Sequence, residues 1–285
     1  MEASDVRRVG VVGCGLMGSG IVEVVARAGA RVTFVEGTED LVSQGRARIG
    51  GSVDRAVAGG RLQAGQASTL LDRIEGSTRL EALAGVDLVV EAATEDREAK
   101  AAIFATLGTV TRPDVILASN TSSIPIGELA TASGRPDRVI GIHFFNPPPR
   151  MPLIELIAAE TTSEDTFALA KAWAESLGKT TVRSKDVAGF IVNRLLIPYL
   201  NDAVSLLEGG VATREDIDTA IRLGLSHPMG PLALADLIGL DTVVHIAEVL
   251  HAAYGEERYA PHPLLVRMVA DGKLGRKSGS GFYDY

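Results

Sequence analysis

Apolar and polar positions divide this chain into two textures. In the first, short apolar runs alternate with longer stretches whose apolar residues recur at helical spacing. The short runs predict strands at residues 9–12, 32–35, 88–91, 115–119 and 139–145. The amphipathic stretches predict helices at 17–28, 39–58 and 97–107. A further strand pair, 154–157 and 180–183, flanks a predicted helix at 164–177. Strands alternating with helices imply βαβ units and a mostly parallel sheet.

The second texture begins near residues 184–187. "DVAGFIVNRLLIPYLNDAVSLLEGG" reads as one long helix stopped by Gly209 and Gly210. "TREDIDTAIRLG" follows, with Thr213 and Asp216 spaced as a helix-capping pair. "PLALADLIGLDTVVHIAEVLHAAYG" reads as a third helix, with Pro231 at its start. Strands are expected here only at the extreme end. The pattern therefore predicts an α/β domain at 1–185 followed by an all-helical domain at 186–285. No repeat or low-complexity linker separates them.

Composition narrows the function. The chain has 285 residues, a length suited to two domains. Apolar residues make up 46%, enough for a sizeable core. The net charge of −8 argues against nucleic-acid binding, which needs a basic face. It leaves anionic small molecules open, since a few local arginines suffice. The one cysteine, Cys14, permits no intrachain disulfide. "MEASDVRR" lacks a signal-peptide core, and no apolar run approaches the ~20 residues of a membrane helix. The expectation is a cytoplasmic protein with no membrane partner.

"VGVVGCGLMGSG" places Gly13, Gly15 and Gly18 directly after the first predicted strand. Gly13 permits a tight turn. Gly15 lets a pyrophosphate approach the backbone, and Gly18 lets helix and strand pack closely. Alone, such a motif is also an ordinary glycine-rich turn. The second strand, however, ends in Glu36, an acid suited to ribose hydroxyls and hostile to a 2′-phosphate. This Rossmann-like reading favours NAD over NADP. Gly37 and Thr38 follow Glu36, so no arginine is expected beside it. Cys14 is read as a packed turn residue rather than a redox thiol.

"GIHFFNPPPRMPLIEL" carries His143 at the end of one apolar run and Glu155 on the next, joined by a proline-stiffened turn. In open α/β sheets ligands sit at the carboxyl ends of strands. Ser122, in "ASNTSS", and His143 both occupy such ends. A histidine there can accept a hydroxyl proton while hydride leaves the same carbon. A carboxylate on the other ring nitrogen would orient it. The stretch alone fits equally an ordinary half-buried histidine and a surface acid; the nucleotide motif in the same chain favours the catalytic reading. His227, His245, His251 and His262 show no ligand spacing, so no metal is inferred.

"GCGLMGSGI", "VVEAATED", "ASNTSS", "IHFFNPPPRMPLIEL", "DVAGFIVNRLL", "HPMGPLALADLIGLD" and "GRKSGSGFYDY" together resemble the 3-hydroxyacyl-CoA dehydrogenase family, in order and over nearly the whole chain. The similarity is greatest to its short, free-standing 3-hydroxybutyryl-CoA branch. It implies a dinucleotide-binding domain and a helical domain that forms most of a homodimer interface. It implies His143 as base and Glu155 as its partner. Ser122 would bond the substrate oxygen, and Asn193 would contact the reacting end. Glu95 and Lys100 match an acid and a lysine near the cofactor. The candidate cofactor set is Gly13, Gly15, Leu16, Met17, Gly18, Glu36, Glu95, Lys100 and Asn120. Without the resemblance, Glu95 and Lys100 read as a solvated helix start, and Asn193 as a buried capping residue.

Two departures bear on the substrate, an acyl thioester of coenzyme A or of a carrier protein. Family members usually carry lysines on the segment that grips the coenzyme A nucleotide. Here "GGSVDRAVAGGRLQ" keeps Arg55 and Arg61 but has Gly59 where a lysine is expected. Arg55 is a candidate substrate contact. "PRMPLIEL" also differs, with Arg150 and Pro152 near the acyl path. Rival readings are a non-catalytic dinucleotide-binding protein and a dehydrogenase of a free hydroxy acid or sugar acid.

Overall fold

The chain folds as two compact units in a computed structural model that describes residues 2–285: one ending at Val187, the other Ala188–Tyr285. The first is built on eight strands: β1 (Arg8–Val12), β2 (Arg31–Val35), β3 (Ile74–Ser77), β4 (Leu88–Glu91), β5 (Ile116–Ser119), β6 (Val139–Phe144), β7 (Leu153–Ala158) and β8 (Thr180–Lys185). They form one sheet in the order β3-β2-β1-β4-β5-β6-β7-β8. Every pairing is parallel except β6 with β7, which is antiparallel. β4, β5 and β6 are buried along their whole length. That burial is why they read as continuous apolar runs: helices cover both faces of a parallel sheet. Strand order reverses between β1 and β4, so the chain makes a ligand crevice at their carboxyl ends.

The helices of this unit are α1 (Leu16–Arg27), α2 (Glu39–Ala58), α3 (Ala64–Leu71), α4 (Arg97–Val110), α5 (Ile126–Ala132) and α6 (Glu164–Ser176). The strands and helices anticipated from the sequence pattern form, with ends displaced by at most three residues. Three elements lie outside that pattern: β3, α3 and α5. β3, "IEGS", has one large apolar residue, so its register comes from packing. A Cβ on Gly76 would come within 2.6 Å of Val42 and 2.7 Å of Phe34. The edge strand thus exists where its glycine lets β2 and α2 approach.

The second unit contains α7 (Val192–Glu208), α8 (Arg214–Gly224), α9 (Pro231–Ile238), α10 (Leu240–Tyr254) and α11 (Pro263–Ala270) around a core that includes Ile197, Leu200, Leu240, Leu250, Tyr259 and Leu265. Thr213 caps α8 as its spacing predicts, accepting from the Asp216 amide. The single helix expected over 231–255 is instead two, broken at Gly239, whose φ of +102° interrupts the helical path. The helix expected from residue 186 starts only at Val192, after positive φ at Gly189 and Phe190. The chain end returns to α9. Buried Asp236 accepts from the Phe282 and Tyr283 amides, each at 2.9 Å, and from the Tyr285 hydroxyl at 3.1 Å. No helix among the described residues is long and apolar enough to cross a membrane.

Candidate active site

The three motif glycines do different physical work. A Cβ on Gly13 would meet the Ala93 backbone at 2.4 Å, and one on Gly18 would meet the Gly13 carbonyl oxygen at 1.9 Å. Both are packing constraints, and Gly13 also needs its φ of +87°. A Cβ on Gly15 would meet nothing within 4 Å. Gly15 is therefore the open face of the loop, and as the N-cap of α1 it has no side-chain cap. The first-turn amides of α1 are thus a cradle for an anion, beside the exposed Leu16. Met17 turns inward and packs against the core. These residues fit a dinucleotide pyrophosphate.

Glu36 closes this loop from the end of β2. Its Oε1 accepts from the Cys14 amide at 2.6 Å. The Cys14 thiol is buried, and burial first, then the Glu36 charge, push its pKa up to about 12, against the opposing pull of Arg48 and Arg46. Such a thiol is inert, consistent with a packing role. Among the described residues no arginine pairs with Glu36, but one reaches the same residue, Cys14. α2 crosses the glycine loop at Gly45, where a Cβ would come within 2.9 Å of Cys14. One turn later Arg48 Nη1 donates to the Cys14 carbonyl at 3.4 Å. The arginine arrives through helix packing, which is why the residues following Glu36 do not reveal it.

A polar cluster fills the ends of β4 and β5. Glu91 accepts from both Lys100, by two contacts of 2.8 and 2.6 Å, and Ser119, at 2.9 Å. Lys100 also lies 3.5 Å from Glu95. Glu95 Oε1 in turn accepts from the Ser122 amide at 2.7 Å, and from the Ser122 and Thr121 hydroxyls, each at 3.1 Å. Lys100 is buried, so it is no solvated helix start. Glu95 is exposed and bridges the buried pair to Ser122. Sequence reasoning treated Glu91 only as a strand end; a charged residue closing an apolar strand was the available signal.

His143 and Glu155 are register partners on β6 and β7, with Nδ1 and Oε2 2.8 Å apart. Glu155 is fully buried, so the surface-acid alternative fails. Asn120 Oδ1 accepts from the Phe144 amide at 2.9 Å, pinning the end of β6 to that of β5. The proline turn is held at two further points. Lys179 Nζ donates to the carbonyls of Pro148, at 2.7 Å, and Met151, at 2.8 Å. A Cβ on Gly20 would come within 2.7 Å of Pro148, so α1 packs tightly there. Nothing local to Lys179 or Gly20 in the sequence signals either contact.

Contacts from β1 through β4 and β5 to β6 thus unite the glycine loop, Glu36, Glu95, Lys100, Asn120, Ser122 and the His143–Glu155 pair at one end of the sheet. Arg55 lies apart, exposed on the last turn of α2. Asn193 is buried in the first turn of α7, within the second unit. Among the described residues no His, Cys, Asp and Glu cluster is suited to a metal ion.

Comparison with known proteins gives matches over nearly the whole chain. The family model "3-hydroxyacyl-CoA dehydrogenase, NAD binding domain" matches residues 8–187, and that family's C-terminal domain matches 189–285. A 3-hydroxybutyryl-CoA dehydrogenase of Mycobacterium tuberculosis strain H37Rv is 50% identical over 282 residues, covering 98% of this chain and 99% of that one. The crystal structure of M. tuberculosis FadB2 superposes with a TM-score of 0.96 at 50% identity, over 98% of this chain and 99% of the other. That of (S)-3-hydroxybutyryl-CoA dehydrogenase from Ralstonia eutropha gives 0.92 at 44% identity, over 99% of each chain.

Proposed function

The chain belongs to the 3-hydroxyacyl-CoA dehydrogenase family, and from that premise we propose that it interconverts a short-chain 3-hydroxyacyl thioester and its 3-oxoacyl counterpart, 3-hydroxybutyryl-CoA and acetoacetyl-CoA being the substrate pair. The cofactor is NAD, held by the Gly13–Gly18 loop, Glu36, Glu95, Lys100 and Asn120. The observation that carries the reading is the buried His143–Glu155 pair, closed at 2.8 Å at the carboxyl end of the sheet. A protein with no turnover has no use for a carboxylate-oriented histidine there.

Glu155 accepts from Nδ1–H and thereby fixes the imidazole tautomer, which leaves Nε2 as the atom that takes the C3 hydroxyl proton. Glu155 then stabilises the imidazolium. Ser122, its hydroxyl rotated from Glu95 toward the ligand, supplies a neutral donor to the oxygen as it gains carbonyl character, and Asn193 is assigned a second such donor by its motif. Bound NAD would supply the hydride acceptor or donor for C3. Purified protein should consume NADH with acetoacetyl-CoA; absence of turnover under saturating substrate removes the assignment.

Coenzyme A as the handle is supported by the end of α2. Position 59 lacks a cation of its own, yet the Arg61 guanidinium folds over it, 3.4 Å from where a Gly59 Cβ would stand. Arg55 and Arg61 there suit the nucleotide phosphates. A carrier-protein thioester is the second reading, favoured by exposed Arg150 on the proline turn. A homodimer is proposed through the helical unit, where Leu195, Val211, Leu223 and Leu225 are all more than half exposed.

A further inference from the structure

Glu36 and Arg48 meet the same residue from opposite sides. The Cys14 amide donates to the Glu36 carboxylate at 2.6 Å, and the Cys14 carbonyl accepts from Arg48 at 3.4 Å. Both groups are thus held at Cys14, in the glycine loop that follows β1; a dinucleotide carries its adenosine ribose at the neighbouring end of β2. They form no ion pair with each other. Arg48 is exposed, and among the described residues its other side-chain hydrogen bond is a long one, 3.5 Å to Gln44. Arg46, the other cation near Cys14, is turned away: it reaches the Ile74 carbonyl at 3.4 Å and lies over Phe34. Arg48 therefore keeps most of its five donors for a ligand.

We propose that Arg48 is a specificity-determining residue of the cofactor site, a phosphate partner whose effect Glu36 masks. The inference rests on the dinucleotide reading of the site. An acid at the end of β2 repels a 2′-phosphate, and converting such a site ordinarily requires a new cation as well as removal of the acid. Here the cation is already present, delivered by the tight crossing at Gly45. Removing the Glu36 charge alone then exposes a site for a 2′-phosphorylated dinucleotide. Guanidinium–phosphate pairing is the strong, charge-assisted kind, which gives one substitution enough leverage to change selectivity.

The test is equilibrium binding, with nicotinamide fluorescence reporting Kd for NADPH and NADH in the full-length protein. The variants are Glu36→Gln, Arg48→Ala and the double substitution. Glu36→Gln keeps an amide oxygen for the Cys14 N–H, and Glu36→Ser serves as a second neutral variant. The expected result is that either Glu36 variant tightens NADPH at least tenfold relative to NADH. Adding Arg48→Ala should then remove that gain, again at least tenfold in the NADPH to NADH ratio. If the gain survives Arg48→Ala, or never appears in a Glu36 variant that still binds NADH, Arg48 is not the phosphate partner. If the wild type binds neither dinucleotide, the cofactor reading itself fails, and the proposal with it.

Discussion

Lys100 Nζ contacts both carboxylate oxygens of Glu91, and neither residue is more than 2% exposed. Two charges are thus desolvated directly beneath the residues that hold Ser122. A buried pair of this kind is weak evidence of net stabilisation, but removing Glu91's charge leaves buried Lys100 only the longer, 3.5 Å contact to exposed Glu95. Glu91→Gln should cost roughly 3–5 kcal/mol by urea unfolding. The double variant Glu91→Gln, Lys100→Met should recover part of that loss. If the single variant unfolds like the wild type, the pair is not an obligate buried couple.

The dyad separates orientation from proton transfer. His143→Ala should lower kcat by several orders of magnitude, while NADH affinity by fluorescence titration changes little. Glu155→Gln keeps the shape but removes the counter-charge from the imidazolium. It should lower kcat and move its pH profile, more than a neighbouring apolar change does. Wild-type turnover in His143→Ala would mean another group takes the proton.

Lys179 ties two carbonyls of the proline turn that joins β6 to β7. Its ammonium pKa is held below the usual lysine range by burial, with Arg27 adding to the effect. Lys179→Met removes both bonds without touching the dyad. A looser turn should lower kcat roughly ten- to a hundredfold, since small misplacements of positioned groups are costly. Lys179→Arg should restore part of the rate; equal rates in all three proteins would show that the prolines alone hold the turn.

Asp236 collects two backbone amides and a tyrosine hydroxyl from the chain end. Asp236→Ala should therefore destabilise the helical unit by about 2–4 kcal/mol, because buried amides lose a charged acceptor. Proteolysis near Phe282 should accelerate in parallel. An unchanged cleavage rate would indicate that the tail is held by packing alone.

The Cys14 thiol, with a pKa near 12 when folded and 9.0 as its ordinary value, gives a pH signature. The folded state holds this proton more tightly than the unfolded chain. Its contribution is therefore complete below pH 9 and declines as pH rises toward 12. Alkylation by iodoacetamide at pH 8 should require unfolding by denaturant, and rapid labelling of the native protein would contradict the burial.

Much of the site was legible because it is written in local pattern. The glycine spacing after an apolar run, an acid at the next strand end, and a histidine and glutamate on successive apolar runs each carry their own steric or chemical reason. Burial periodicity sets elements, and special backbone positions such as Gly13 mark themselves. What the pattern could not contain was the choice of polar partner. The span of 12 residues between His143 and Glu155 permits a contact, but antiparallel register made them opposite. Glu91 with Lys100, Lys179 with the proline turn, and Asp236 with the chain end are pairings across folded elements. Arg48 reaches Cys14 from 34 residues away because Gly45 has no side chain to hold α2 off the loop. Hydrophobic periodicity specifies which face turns inward; only close packing of those faces decides which charged tips then meet, because hydrogen bonds act over about 3 Å and are indifferent to sequence distance.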